Sequence, residues 1–132
     1  MFRKKQLPPE LAEAEAGFQA VLEQLEPAKE AITDVLPGTR MPGRPLHDAL
    51  AAFEGGLERA AALMPAWRRP QTQEVWSRCE TGLASALALT HRAREEAPDV
   101  IGFEGLLGLV EELLDPLEPF EAAEERFRAL RR

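Results

Sequence analysis

The sequence LPPELAEAEAGFQAVLEQLEPAKEAITDV, residues 7–35, decides the fold class of this chain. Apolar residues recur in it at steps of four and three, which places them on one face of an α-helix. They are Leu7, Leu11, Ala14, Phe18, Val21, Leu25, Ala28, Ile32 and Val35. Proline is favoured in the first turn of a helix and cannot continue one, so Pro8, Pro9 and Pro37 bound the segment. We therefore predict a long amphipathic helix over residues 9–36.

Three further segments repeat this pattern. Their apolar residues follow the same steps of three and four, and prolines at positions 45, 65, 70 and 98 separate them. No segment alternates apolar and polar residues as a half-buried strand does. The sequence predicts an all-α protein with helices over residues 9–36, 45–64, 70–96 and 99–131.

The connections between these helices limit the topology. They cover roughly residues 37–45, 65–70 and 95–99, and each is too short to run back along a helix of about 30–40 Å. Consecutive helices are therefore expected to be antiparallel, which gives an up-down-up-down four-helix bundle as a single domain over residues 1–132. A three-helix bundle with a detached arm and an intertwined dimer are the alternatives.

Helices 1 and 4 contain internal prolines, which we expect to bend them. Pro27 and Pro119 each follow a core-face leucine by two residues and so fall on the outer face. Water can replace the lost hydrogen bond there, and the helix curves around the core. In helix 4, the sequence DPLE at residues 115–118 has the pattern of a capping residue, a first-turn proline and a capping glutamate. The sequence thus predicts a kink or a break near residues 114–116.

Composition excludes several classes of function. The chain of 132 residues has 16 basic and 23 acidic residues, and this net charge of −7 disfavours general binding to nucleic acid. A single Cys excludes an internal disulfide framework and a multi-cysteine zinc site. No apolar run is long enough for a signal sequence or a transmembrane helix, so the expected location is the cytoplasm.

No group of residues has the pattern of an active site or a cofactor site. His47 and His91 lie off the apolar faces, and neither follows a glutamate by three residues, as the His ligands of metal-binding bundles do. We expect both on the surface, with His91 paired to Glu95 one turn away. Cys79 lies on the core face of helix 3, where a thiol acts as a small buried hydrophobe. The sequence therefore predicts a protein that is not an enzyme and uses no cofactor and no metal.

One end of the predicted bundle is rich in basic residues. Both termini and the connection at residues 65–70 meet there, together with Trp67 and Trp76, which are expected to close the core. Nine of the 16 basic residues gather at this end: Arg3, Lys4, Lys5, Arg68, Arg69, Arg126, Arg128, Arg131 and Arg132. Because two helices end there and helix C-termini favour cations, we expect these charges to offset helix dipoles rather than to bind an anionic partner.

Glycines and arginines mark two candidate contact surfaces. Three glycines recur every third residue within helix 4 and form a thin ridge that a neighbour can approach closely, at a cost of about 1 kcal/mol each in helix propensity. This glycine ridge consists of Gly102, Gly105 and Gly108. Gly55 and Gly56 are candidates for a similar close contact on helix 2. Before helix 2, Arg40 and Arg44 lie near the first N–H groups of the helix, which makes them a candidate site for a small anion.

Acidic residues follow one face of helix 4 at intervals of seven. This acidic stripe, a candidate docking surface for a basic partner, consists of Glu104, Glu111, Glu118 and Glu125. A solvated surface is the ordinary explanation of such a pattern. Together with the glycine ridge, the stripe favours a non-enzymatic protein-interaction module that forms a homo-oligomer, expected to be a dimer. The alternative function is binding of a small apolar ligand in a pocket between helices, lined by Phe18, Phe53, Phe103 or Phe120.

Overall fold

The structure is a computed structural model that describes residues 7–38, 42–96 and 102–131. All regular structure in these ranges is helical, which confirms the all-α class. Five α-helices follow one another: α1 (Pro9–Thr33), α2 (Leu46–Leu63), α3 (Gln73–Glu96), α4 (Phe103–Leu114) and α5 (Pro119–Leu130). Single 3-10 turns lie at Met64–Trp67, Pro70–Thr72 and Asp115–Leu117. None of the helices in the described ranges is long and apolar enough to cross a membrane, and the cytoplasmic location stays a prediction.

Two helices are shorter than the sequence predicted, because contacts outside the helix compete at their ends. α1 stops at Thr33, and the carbonyl of Asp34 accepts the N–H of Arg44 at 2.7 Å. At the start of α3, Thr72 ends a 3-10 turn, and its hydroxyl accepts the N–H of Arg69 at 3.1 Å. The periodicity marks the helical face, but these hydrogen bonds decide where the α-helix begins and ends.

The predicted apolar faces form the core. Of the side chains with large volume, Phe18, Phe53, Phe120 and Trp67 are at most 2 % exposed. Burying one such side chain contributes roughly 2–3 kcal/mol relative to leaving it in water. Phe103 departs from the prediction, because it lies on the same periodic face and yet is 54 % exposed.

α1 packs along α2, and Gly56 allows the two helices to come close. A β-carbon placed on Gly56 would lie 2.5 Å from the β-carbon of Ala28 and 3.1 Å from the carbonyl oxygen of Gln24. At Gly55, the nearest atom belongs to the flexible side chain of Arg59. Of the two glycines, Gly56 is therefore the one that the helix contact requires.

The predicted helix 4 is divided into α4 and α5. The α-helix stops at Leu114, one 3-10 turn follows, and Pro119 is the first residue of α5 rather than an internal residue of one long helix. Neither Pro116 nor Pro119 has an N–H group to continue the α-helical hydrogen bonds. α3 packs against this break at Gly82, where an added β-carbon would lie 2.1 Å from the carbonyl oxygen of Pro116.

An aromatic cluster joins α1, α5 and the turn after α2. The Trp67 and Phe18 rings make a T-shaped contact at a centroid distance of 4.9 Å, and Trp67 lies 6.0 Å from Phe127. The indole N–H of Trp76 donates to the Met64 carbonyl at 2.8 Å. Both tryptophans are at most 4 % exposed, as predicted for residues that close the core.

Candidate functional site

The start of α4 exposes apolar side chains to solvent. Phe103 is 54 % exposed and Leu107, one turn later, is 37 % exposed. β-Carbons added to Gly102 or Gly108 would meet no atom within 4 Å. The first two turns of α4 therefore form an apolar surface that is open over much of its circumference.

The glycine ridge and the two exposed side chains lie on different flanks of α4. Successive residues of an α-helix are 100° apart, so Gly105 and Leu107 differ by about 160° around the axis. Val110 and Leu113, which point into the core, lie between the two flanks. We call the flank of α4 that carries Phe103 and Leu107 the α4 apolar flank. The glycine ridge stays a predicted contact surface on the other side.

All four residues of the acidic stripe are exposed, but they do not lie on one continuous helix. Glu104 and Glu111 belong to α4, Glu118 lies between the helices, and Glu125 belongs to α5. Glu125 already pairs with Arg128 on its own helix. The part of the stripe next to the α4 apolar flank is thus Glu104 and Glu111, and a role in docking stays a prediction.

Clefts lie on both sides of the break between α4 and α5. One, of about 530 Å³, is lined by Lys29 and by four carboxylates, those of Glu111, Asp115, Glu118 and Glu121. The other, of about 510 Å³, lies against α3, where Ser77, Arg78, Thr81 and Ser85 face Asp115 and the two prolines. Among their described lining residues, neither cleft contains a His or a Cys.

The predicted anion site at Arg40 and Arg44 can be placed only in part. Arg40 lies outside the described residues. Arg44 is exposed, and its backbone N–H is taken by the Asp34 carbonyl. The anion site therefore stays a prediction.

Of the predicted basic end, Arg3, Lys4, Lys5 and Arg132 lie outside the described residues, and the five described arginines have partners within the chain. Arg131 pairs with Glu15, Arg128 with Glu124 and Glu125, and Arg126 donates to the Gln71 carbonyl at 2.9 Å. Arg68 lies over the Trp76 ring, 4.5 Å from its centroid. Arg69 donates to the Arg68 carbonyl at 2.9 Å. These contacts tie α1, α5 and the segment after α2 together and favour a structural role for the charges.

A polar cluster between α2 and α3 was missed by the sequence analysis. His91 Nε2 lies 3.1 Å from Glu54 Oε2, and Arg94 Nη1 donates to Glu54 Oε1 at 2.8 Å. Glu58 follows Glu54 by one turn, and its carboxylate lies in the same group. The predicted pairing of His91 with Glu95 is wrong, because Glu54 on the neighbouring helix is the partner. No local spacing could have indicated this contact, since 37 residues separate Glu54 from His91 in the sequence.

Cys79 is fully buried, as predicted. Burial raises the pKa of its thiol from 9.0 to about 12, and the charge of nearby Arg78 opposes this shift. The thiol is therefore protonated and a poor nucleophile at neutral pH.

This pKa predicts a loss of stability at alkaline pH. The unfolded thiol ionises above about pH 9, whereas the folded one resists ionisation up to about pH 12. The free energy of unfolding is unaffected well below pH 9 and falls as the pH rises through it, by roughly 1 kcal/mol at pH 10. Urea denaturation at pH 8 and pH 10 should show this extra loss in the wild type and not in Cys79→Ala. Equal losses in both proteins would contradict the assignment.

Comparisons of the chain with protein-family models, with curated proteins and with solved structures found no match. The class that the fold and surfaces define is an all-α protein with an open apolar flank on α4.

Proposed function

We propose that this chain is a non-enzymatic helical interaction module that self-associates as a dimer through the α4 apolar flank. The observation that carries the proposal is the exposure of Phe103 and Leu107 side by side on one helix. Exposed apolar side chains that cluster, unlike scattered ones, are typical of interaction sites.

The dipole of α4 favours a second, antiparallel copy as the occupant, although the first turn of α4 already holds one acid, Glu104. The N-cap residue Gly102 has no side chain to bond the first N–H groups, and the last turn of α4 holds Glu111 and Glu112 but no basic residue. Acids at the C-terminal end of a helix oppose its dipole, whereas acids at the N-terminal end favour it. An antiparallel pair centred on Leu107 places Glu111 of each copy beside the start of the other α4.

The same arrangement gives the acidic stripe a role near the dimer axis. Phe103 and Glu111 each lie one turn from Leu107, on opposite sides, so Phe103 of one copy packs beside Glu111 of the other. Because the apolar contact is small, we expect a weak dimer with a dissociation constant on the order of 0.1 mM.

We further propose that each copy is an up-down-up-down bundle in which α4 and α5 together form the fourth rod. The packing of α1 on α2, α2 on α3, and α3 on α4 and α5 supports this order. The exposed position of Pro27 within α1 supports a bend toward the core at that residue.

Sedimentation equilibrium tests the dimer directly. Over about 1 µM to about 1 mM, the average mass should rise from 14.6 kDa toward twice that value. Phe103→Asp should stay monomeric, because it places a charge on the apolar flank. An aspartate in the first helical turn also favours the helix dipole, so the variant should remain folded.

Ala88→Asp is the matched control, because it adds the same charge at an exposed position on α3. It should dimerise like the wild type. A wild type that stays monomeric at about 1 mM, or a Phe103→Asp protein that dimerises as well as the wild type, would contradict the proposal.

A further inference from the structure

The cluster of Glu54, Glu58 and His91 has the donor set of a divalent metal site. One nitrogen and two carboxylate oxygens lie within 4.8 Å of one another. Imidazole and carboxylate together suit zinc and related first-row cations. Zinc is commonly bound by three protein ligands, with water in the fourth coordination position.

The geometry is close to what a metal requires. A tetrahedral zinc with bonds of about 2.0–2.1 Å holds its ligand atoms about 3.3 Å apart. The 3.1 Å between His91 Nε2 and Glu54 Oε2 already matches this separation. The three ligand atoms lie within 4.8 Å of one another, so the exposed side chain of Glu58 must move closer to complete the set.

Glu54 is held in place as a metal ligand usually is. Its side chain is 16 % exposed, and Arg94 holds Oε1 at 2.8 Å, which leaves Oε2 directed at His91. Ligating carboxylates in metalloproteins commonly accept such a hydrogen bond from a neighbouring residue. The feature is therefore more than an acidic patch, because an imidazole and an oriented, largely buried carboxylate converge from two helices.

We propose that Glu54, Glu58 and His91 bind a first-row divalent cation, with Zn²⁺ as the probe, and that the cation links α2 to α3. Arg94 acts as a positioning residue for Glu54. The site is independent of the dimer, because none of these residues belongs to the α4 apolar flank.

Calorimetric titration of tag-free protein with Zn²⁺ tests the site. The wild type should bind one cation per chain, and its thermal midpoint should rise when Zn²⁺ is added. His91→Ala and Glu54→Gln should each weaken binding by at least about tenfold. His91 is 59 % exposed, so its removal should leave the circular dichroism spectrum unchanged.

His47→Ala is the matched control, because His47 is the other histidine of the chain and is also exposed. It should bind Zn²⁺ like the wild type. If the wild type does not bind, or if His91→Ala and the wild type bind with the same affinity, the site does not exist. If His47→Ala weakens binding as much as His91→Ala, the cation lies elsewhere.

Discussion

Gly82→Ala should destabilise the protein by about 3 kcal/mol, although alanine is the better helix former. The reason is steric. The added β-carbon would lie 2.1 Å from the carbonyl oxygen of Pro116, and that oxygen belongs to backbone that cannot rotate away. α3 must then move off the break between α4 and α5, which opens the contact between them.

Gly108→Ala is the matched control for this prediction, because Gly108 is also helical but meets nothing within 4 Å. The free energy of unfolding from urea denaturation should rise by about 0.5–1 kcal/mol in this variant. If Gly82→Ala were as stable as Gly108→Ala, α3 would not depend on close approach to Pro116. Both measurements belong at low protein concentration, where the proposed dimer is dissociated.

The helical class and most of the core could be predicted because they depend on local periodicity. Leu25, for example, lies three or four residues from the neighbouring apolar residues of α1. That spacing alone places them on the same face of the helix. The same information could not show that Phe103 is exposed. Periodicity shows which face of a helix is apolar. It does not show whether another helix extends far enough to cover that face along its whole length.

Close approaches between helices were predictable only in part. Gly55 and Gly56 stood out in the sequence, but the two look alike there, and only Gly56 faces a neighbouring helix. Gly82 gave no local sign, because its role depends on the backbone of Pro116 in the 3-10 turn between α4 and α5. The DPLE sequence of residues 115–118 indicated the break through its proline, but the predicted cap is wrong: Asp115 makes no side-chain cap hydrogen bond, and α5 begins only at Pro119.

The candidate metal site was not predictable from spacing. Glu54 and His91 belong to different helices, and either could pair with many residues until the register of α2 against α3 is known. The Glu-x-x-His spacing indicates only ligands that share one helix. Sites assembled across helices at the surface escape such a test.

Trp67→Ala should lower the free energy of unfolding by about 4 kcal/mol. The indole is fully buried and packs against Phe18 of α1 and Phe127 of α5, and its N–H lies 3.3 Å from the Met64 sulfur. Truncation therefore leaves a cavity where three segments meet, and neighbouring rings cannot fill it without leaving their own positions.

Phe103→Ala is the control for this change, since it also removes an aromatic ring but from an exposed position. Its effect on a monomeric sample should stay within about 0.5 kcal/mol. Trp67→Phe should fall between the two, because a smaller ring retains part of the contact with Phe18. Urea denaturation followed by far-ultraviolet circular dichroism measures all three. A loss below about 1 kcal/mol for Trp67→Ala would show that the aromatic cluster does not hold α1 and α5 together.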